Sequence, residues 1–244
     1  MNNIHIIARR EFASYFTTPL AYVFIVIFLA FSGAMAFYVG GFFVRGQAGL
    51  GTFFMFHPWL YLFLVPAISM RLWAEERKTG TIELLMTLPV TTAEAVIGKF
   101  LAAWAFTGVA LALTFPMWIT VNVLGDPDNG VIVAGYLGSF FMAGAFLSIG
   151  GCISALTKNQ VIAFIAAATV CFLFTMSGME MVLNFFSGWA PDVLVNVIAQ
   201  MSFLSHFESV TKGVIDLRDA IFFGSIIVFW LFANVAVVDL RKTA

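Results

Sequence analysis

The chain has 244 residues, of which 61% are hydrophobic and only 10% are charged, and its formal net charge is −1. Soluble domains are typically about 45–50% apolar and about 25% charged, and a core of this size cannot hide so much apolar surface. The composition therefore excludes an ordinary soluble protein and predicts an all-α integral membrane protein, with residues 1–244 forming one transmembrane domain.

The N-terminal segment, residues 1–18, does not read as a cleavable signal peptide, because it contains two arginines and a glutamate before the first long apolar run. Apolar residues recur there at helical spacing, at Ile4, Ile7, Ala8, Phe12, Tyr15 and Phe16. Glu11 lies inside this stripe and Ile6 outside it, so the pattern is imperfect. We predict an amphipathic helix on the inner membrane surface; an ordinary positively charged tail is the alternative. Thr18-Pro19 then resembles a helix N-cap followed by proline.

Six apolar runs are candidates for membrane-spanning helices, which need about 20 mostly apolar residues. They lie at roughly 19–40, 53–71, 93–123, 132–156, 161–181 and 220–239. Few ionisable residues fall within them, which argues against an ion-coupled transporter. They hold no paired carboxylates, Ser/His pair or metal-ligand constellation, and the chain has no glycine-rich phosphate loop. We therefore expect no enzyme activity, no metal and no cofactor bound by this chain.

The distribution of positive charge predicts the orientation. Six spans place both termini on one side, and that side carries nine of the twelve Lys and Arg residues, whereas the other carries only Arg45, Lys212 and Arg218. Short cytoplasmic loops are enriched in Lys and Arg. Both termini are therefore predicted to be cytoplasmic, in a bacterial inner membrane.

The segment 72–90 concentrates charge in an otherwise apolar chain. Gly80 is expected to break a first helix, and the apolar stretch 82–88 that follows is too short to span a membrane and ends at Pro89. Thr91 and Glu94 then have the spacing of a capping box that starts the third span. We predict a short cytosolic helix between a glycine hinge and a proline stop.

The segment 182–219 is predicted to lie outside. Its stretch 193–204 is apolar but short and interrupted by polar residues, which suggests an interfacial or re-entrant helix. Trp189, His206 and Glu208 lie around this stretch and are candidates for an external gate; a simple structural lid is equally compatible with the pattern.

Two motifs resemble a known family. Residues 75–90 read EERKTGTIELLMTLPV, with Gly98-Lys99 a little further on, and residues 203–219 read FLSHFESVTKGVIDLRD. The first resembles the signature of type-2 ABC exporter permeases, the ABC-2 family, and both resemble its gliding-motility, GldF-like branch. Together with six spans and this length, the similarity covers essentially the whole chain.

In that family the cytosolic segment is a coupling helix that sits in a cleft of a separate ATP-binding subunit. The resemblance implies that the docking surface is formed by Glu75, Glu76, Arg77, Thr79, Gly80, Thr81, Glu83, Leu84, Leu85 and Met86. Charged residues would set the register of such a contact, and the apolar patch would supply burial. ATP and magnesium would then be bound by the partner ATPase.

The resemblance implies a permease subunit that couples ATP hydrolysis by the ATPase to export or movement of a substrate. The expected partners are an ABC ATP-binding subunit, a second permease copy (the same chain or a homologue), an auxiliary membrane protein with a large extracytoplasmic domain, and the lipid bilayer; no nucleic acid is expected. The alternative is a mechanotransducing scaffold that drives an extracytoplasmic partner without transporting a substrate.

Overall fold

The chain is described by a computed structural model over residues 3–46, 48–82, 89–213 and 216–241, and every regular element in these ranges is a helix. The prediction of an all-α protein is therefore confirmed for this part of the chain. Many large apolar side chains remain exposed on its outer surface, for example Val26, Phe63 and Phe232. Exposed apolar surface on this scale is typical of a protein that faces lipid.

The first half of the sequence contains both short and long helices. They are α1 Asn3–Phe16, α2 Pro19–Ala34 with a π-helical turn at Met35–Val39, α3 Phe42–Arg45, α4 Gly51–Met55, α5 His57–Ser69, α6 Arg71–Thr79 and α7 Thr92–Ala112. The remainder consists of α8 Phe115–Leu124, α9 Asn129–Leu156, α10 Gln160–Met176, α11 Glu180–Ser187, α12 Asp192–Gln200, α13 Phe203–Thr211 and α14 Leu217–Leu240.

Four helical stretches are long and apolar enough to cross a membrane within the residues described, namely Pro19–Val39, Thr92–Leu124, Asn129–Leu156 and Leu217–Leu240. Two bent pairs satisfy the same test only when each is taken as one broken or re-entrant span. In the first, α10 and α11 meet at 79°, and in the second, α12 and α13 meet at 54°. The described residues therefore contain from four to six candidate spans.

The predicted spans differ from the observed helices at their interruptions. The run 53–71 is split between α4 and α5, where His57-Pro58 starts a new helix. The run 93–123 breaks after Ala112 and resumes at Phe115 with Pro116 in its first turn, a position that tolerates a missing N–H. The run 161–181 ends at Met176 and then bends. Apolar periodicity locates such helices but not their breaks.

The core is organised around α9, which packs against α5, α7, α10, α13 and α14. Small residues permit these close approaches: a Cβ at Gly150 would collide with the Ser69 hydroxyl of α5. Polar side chains also join α5 to α9, because Ser139 Oγ lies 2.7 Å from His57 Nδ1 and 2.8 Å from the Tyr61 hydroxyl. All three side chains are buried.

The N-terminal helix α1 lies along α7. A Cβ at Gly98 would be only 2.8 Å from Ile7 Cγ2, so a residue without a side chain lets these helices meet. The chain then turns at Thr18 and α2 starts at Pro19, as expected, although the Thr18 hydroxyl donates backward to the Tyr15 carbonyl instead of capping α2. This packing fixes the end of α1 beside α7.

Candidate functional site

The segment that resembles a coupling helix begins with α6, which follows α5 after one residue. One face of α6 is buried, through Leu72, Trp73 and Ala74. The first amides of a helix lack intrahelical partners, and Ser154 of α9 satisfies two of them: its hydroxyl oxygen accepts from the Trp73 and Ala74 N–H groups at 3.2 and 3.1 Å. The same hydroxyl donates to the Met70 carbonyl at 2.8 Å. One serine thus holds the α5–α6 junction against α9.

Three ionised side chains from three helices meet beside this junction, and we call Glu11, Glu76 and Lys99 the inner charge cluster. Lys99 Nζ of α7 lies 2.6 Å from Glu76 Oε1 of α6 and 3.4 Å from Glu11 Oε1 of α1. The Lys99 side chain is only 3% exposed. Its ammonium also lies 5.4 Å from the centre of the Trp73 ring, within cation–π range.

A buried ammonium is stable only when it is paired, because removing it from water costs several kcal/mol. The carboxylates are affected in turn. Burial raises the pKa of Glu11, but the charges of Lys99 and Arg10 and the hydrogen bonds they donate outweigh it, and the net pKa is lowered. Glu11 therefore stays ionised at neutral pH, and α1, α6 and α7 are joined by charge as well as by apolar packing.

Two further contacts attach α6 to its surroundings. Arg71 donates to both Glu75 oxygens, at 2.7 and 3.0 Å, and this hydrogen bonding is the main reason that the pKa of Glu75 is lowered. Arg77 donates to the Ala155 carbonyl at the end of α9. Arginine side chains commonly satisfy the last carbonyls of a helix. The sequence analysis assigned Glu76 and Arg77 to a docking surface, yet in this chain both side chains make their contacts inward.

The exposed part of the segment starts where α6 ends. Lys78, Thr79, Gly80 and Thr81 are exposed. Gly80 has φ of +76°, in the left-handed region that favours glycine, so the predicted break is confirmed. Helical structure resumes at Thr81 and Ile82. Four predicted docking residues, Glu83, Leu84, Leu85 and Met86, lie outside the described residues.

The capping box that closes the segment is confirmed. The Thr91 hydroxyl accepts from the Glu94 N–H at 3.2 Å, and Glu94 Oε2 accepts from the Thr91 N–H at 2.8 Å. The start of α7, and so the position of Lys99 two turns later, is fixed by this cap.

The three candidate external gate residues differ in their exposure and in their partners. Trp189 is 66% exposed between α11 and α12, and its ring is tilted by 47° against that of Phe186, 5.6 Å away. Glu208 is exposed and pairs with Lys212 one helical turn away, at 2.8 Å. His206 is buried, with Nδ1 only 2.6 Å from Asp219 Oδ1 of α14 and Nε2 3.0 Å from the Gln200 carbonyl. No contact joins these three residues to one another in the described structure.

Sequence reasoning missed Lys99, Glu11 and Asp219 as partners in these clusters. Two signals were present: Glu11 interrupts the apolar stripe of α1, and Lys99 is a lone cation in the apolar run 93–123. A charge placed on an apolar face predicts a buried partner. The partner itself was not predictable, because Glu76 and Lys99 are separated by 23 positions.

The family comparison agrees with this architecture. Residues 52–238 match the profile of the ABC-2 family transporter proteins, a range that contains α6, the capping box, Lys99 and the His206–Asp219 pair. No curated protein matches the chain. Among the described residues, no group of three His, Cys, Asp or Glu side chains is placed to hold a metal ion.

The match covers well over half of the chain, and the structure supplies the apolar helices that a multi-pass membrane protein needs. Subunits of this family work with an ABC ATP-binding subunit and are generally not catalytic themselves. The chain therefore belongs to the ABC-2 family of transporter proteins and is the membrane subunit of an ATP-binding cassette transporter.

Proposed function

We propose that this subunit receives force from its ATP-binding partner through the segment 72–90 and passes it into the bundle through α6. The observation that supports the proposal is that the segment has an exposed and an anchored part. Its rim, Lys78–Thr81, is exposed, while the helix before it is bonded directly to α7 and α9 and, through Lys99, to α1. A partner that grips the rim would move all three helices together.

The rim has the properties of a docking surface. It presents one ammonium and two hydroxyl groups around a glycine in the left-handed conformation, directly before the apolar stretch 82–88. The predicted docking residues Glu83 to Met86 belong to the same proposal on sequence grounds. Glu76 and Arg77 would act as the anchors of the segment, because their partners Lys99 and the Ala155 carbonyl lie within this chain.

The orientation of the chain is part of the proposal. With the rim in the cytoplasm, where ATP is hydrolysed, both termini are cytoplasmic, in a bacterial inner membrane with six spans. The segment 182–219, which includes Trp189, His206 and Glu208, then lies outside. The lysine and arginine bias of nine against three supports this arrangement. In its most specific form, the proposal is a GldF-like permease in which two copies surround a shared pathway.

The docking part is tested by charge reversal at the rim. Lys78→Glu should weaken co-purification with the ATP-binding subunit, and Lys212→Glu is the matched control, because Lys212 is also an exposed lysine and lies on the predicted opposite side. An equally strong complex in both variants, with unchanged ATP hydrolysis, would contradict docking at the rim.

The transmission part needs a different variant. Lys99→Met should leave the ATP-binding subunit attached, since Lys99 is buried, but should separate ATP hydrolysis from movement of the bundle. Site-directed spin labels on α1 and α9 would report nucleotide-dependent distance changes in the parent and none in the variant. Full retention of these changes would show that the inner charge cluster carries no force.

The mechanical alternative has its own supporting observation. Helices α11 and α12 bury no residue in this chain, and both expose large apolar side chains, among them Phe185 and Val193. Such a face suits an extracytoplasmic partner as well as the membrane interface. Vesicles that contain the complete complex would accumulate a substrate if it is an exporter; nucleotide-dependent movement of a bound external partner without accumulation would identify a mechanotransducer.

A further inference from the structure

A cleft of about 370 Å³ opens beside the inner charge cluster, between α1, α2, α5, α6 and α7. This volume lies within the range of about 300–1,000 Å³ that is typical of small-molecule sites. None of the functions considered above uses it. Its chemistry changes from one end to the other, and that change identifies the class of molecule that fits.

The first end is charged and hydrogen-bonding. It is lined by Glu11, Thr18, Arg71, Glu75, Glu76 and Lys99. The second end is apolar and is lined by Leu20, Val23, Phe24, Ile27, Leu64 and Ile68. A site with this division suits an amphiphile, whose head and tail need opposite surroundings.

The two ends are separated along the helices. α2 runs away from the polar end between Leu20 and Ile27, and the chain runs towards it from Leu64 in α5 to Arg71 at the start of α6. Each interval is seven residues, which at 1.5 Å per residue is about 10 Å. The apolar walls on α2 are exposed on this chain, with Val23 52% and Ile27 39% exposed. The cleft is therefore open on the side where lipid chains would lie.

The charges at the polar end leave an acceptor without a donor. The lining holds three carboxylates (Glu11, Glu75, Glu76) and two cations (Arg71, Lys99), and Arg10, outside the lining, pairs with Glu11 at 2.8 Å. Lys99 is already shared between Glu11 and Glu76, and Arg71 already donates twice to Glu75. Within the described part of the chain, the buried Oε2 of Glu76 has no hydrogen-bond partner.

An unpaired buried carboxylate oxygen costs free energy until a donor reaches it. A compact ammonium with its three N–H donors meets that need. A quaternary ammonium has no hydrogen to donate to this oxygen. A purely anionic head group would be repelled by the Glu76 carboxylate.

We propose that this cleft binds one phospholipid with a primary ammonium head group, such as an ethanolamine phospholipid, with its ammonium at Glu76 and an acyl chain between α2 and α5. The bound lipid would complete the hydrogen bonding of the inner charge cluster. The site is separate from the docking rim, because Lys78–Thr81 do not line it.

The head-group requirement is tested by delipidating the purified protein in detergent and adding back phospholipids that share the same acyl chains. Ethanolamine lipid should raise the midpoint of thermal unfolding and stay bound in native mass spectra. Choline and glycerol lipids should do so at about tenfold higher concentration or more, equivalent to about 1.4 kcal/mol. Equal effects of ethanolamine and choline lipid, or a preference for the glycerol lipid, would overturn the assignment.

The location is tested with two neighbouring valines of α2. Val23→Trp places an indole in the cleft, whereas Val26, 64% exposed on the same helix, does not line it and provides the matched control Val26→Trp. Val23→Trp should reduce retention of the ethanolamine lipid at least about tenfold, and Val26→Trp should leave it unchanged. Ala67→Phe, from the α5 wall, should repeat the effect of Val23→Trp.

Two outcomes would contradict this location. If neither Val23→Trp nor Ala67→Phe alters lipid retention, the lipid binds elsewhere. If Val23→Trp lowers the fraction of dimer in mass photometry while lipid retention is unchanged, the occupant of the cleft is a second copy of this chain.

Discussion

The two ends of the bundle are built differently. At the end that holds α6, the inner charge cluster joins helices that are far apart in sequence, since Lys99 pairs with Glu11 and with Glu76. At the other end, the buried pair His206–Asp219 joins residues only 13 positions apart. Beyond that pair, α11 and α12 bury no residue at all.

The end that holds α6 is therefore suited to transmit motion between helices, whereas α11 and α12 are suited to move independently of the bundle. A displacement of α6 reaches α1, α7 and α9 through ionic and hydrogen-bonded contacts, whereas α11 and α12 can shift without breaking a buried contact of their own. Segments with few buried apolar contacts open at the lowest free-energy cost. Five predictions test this comparison.

The largest effect is expected at Lys99. Lys99→Met removes the cation from two partly buried carboxylates, and breaking a buried pair typically costs about 3–5 kcal/mol. The free energy of unfolding in detergent, from thermal or denaturant titration, should fall by about that amount. Lys99→Met combined with Glu76→Gln should recover part of it, because one unpaired charge is removed. A loss below about 1 kcal/mol would show that the cluster is not a structural link.

Loss of the His206–Asp219 pair should lower the free energy of unfolding less than loss of Lys99, and its effect should stay local. Asp219→Asn keeps the shape but removes the charge that pairs with His206, and a hydrogen bond to a charged group is worth about 1.5–3 kcal/mol. Hydrogen exchange should accelerate in α13 and the start of α14 and stay unchanged in α6. Faster exchange in α6 would show that the two ends are coupled more strongly than their contacts indicate.

The Ser154 hydroxyl tests the α5–α6 junction. Ser154→Ala leaves the buried Trp73 and Ala74 N–H groups without their acceptor, which should cost about 1–3 kcal/mol. Ser225→Ala is the control, since the exposed Ser225 hydroxyl only donates to the Phe222 carbonyl one turn back in the same helix. Unfolding monitored by Trp73 fluorescence, in a background where the other tryptophans are replaced, measures the effect. Equal losses in both variants would contradict the role of Ser154.

A smaller effect is expected at the helix cap. Thr91→Ala removes the hydroxyl that accepts from Glu94 N–H, and loss of such an N-cap costs about 1 kcal/mol. Thr91→Ser should retain nearly all of the stability because it keeps the hydroxyl. The comparison of the two midpoints of unfolding is the measurement, and a Ser variant as weak as the Ala variant would rule out capping as the cause.

The smallest effect is a dependence on acidic pH. The pKa of Glu11 is lowered in the folded protein. Its contribution to stability is therefore fully present above the ordinary glutamate pKa of 4.5 and is lost as pH falls through the lower folded value. The midpoint of unfolding should drop between about pH 5 and about pH 3 more in the parent than in Lys99→Met, which lacks the ammonium that lowers this pKa. An equal drop in both proteins would assign the acid sensitivity to other groups.

Local patterns predicted the local features well. The apolar runs located the long helices, Gly80 and Thr91–Glu94 located a break and a cap, and Pro19 marked the start of α2, because each depends on residues within one turn of one another. The interruptions at Phe56 and Leu113 lie just before Pro58 and Pro116, which stand in the first turn of the next helix and mark these breaks in the sequence. The bend after Met176 has no proline beside it and was not predictable.

The sequence by itself determined that this chain is an α-helical membrane protein, and its two motifs pointed to the ABC-2 family. It also led to the prediction that the segment 72–90 docks on a soluble partner. Only the tertiary structure decided that Glu76 and Arg77 face inward, that Glu11 and Lys99 complete a buried cluster, and that a cleft with a spare carboxylate oxygen opens beside them. The physical reason is range: helix formation and membrane partition depend on neighbouring residues, whereas a buried charge is stabilised by partners that only the folded chain brings within hydrogen-bonding distance.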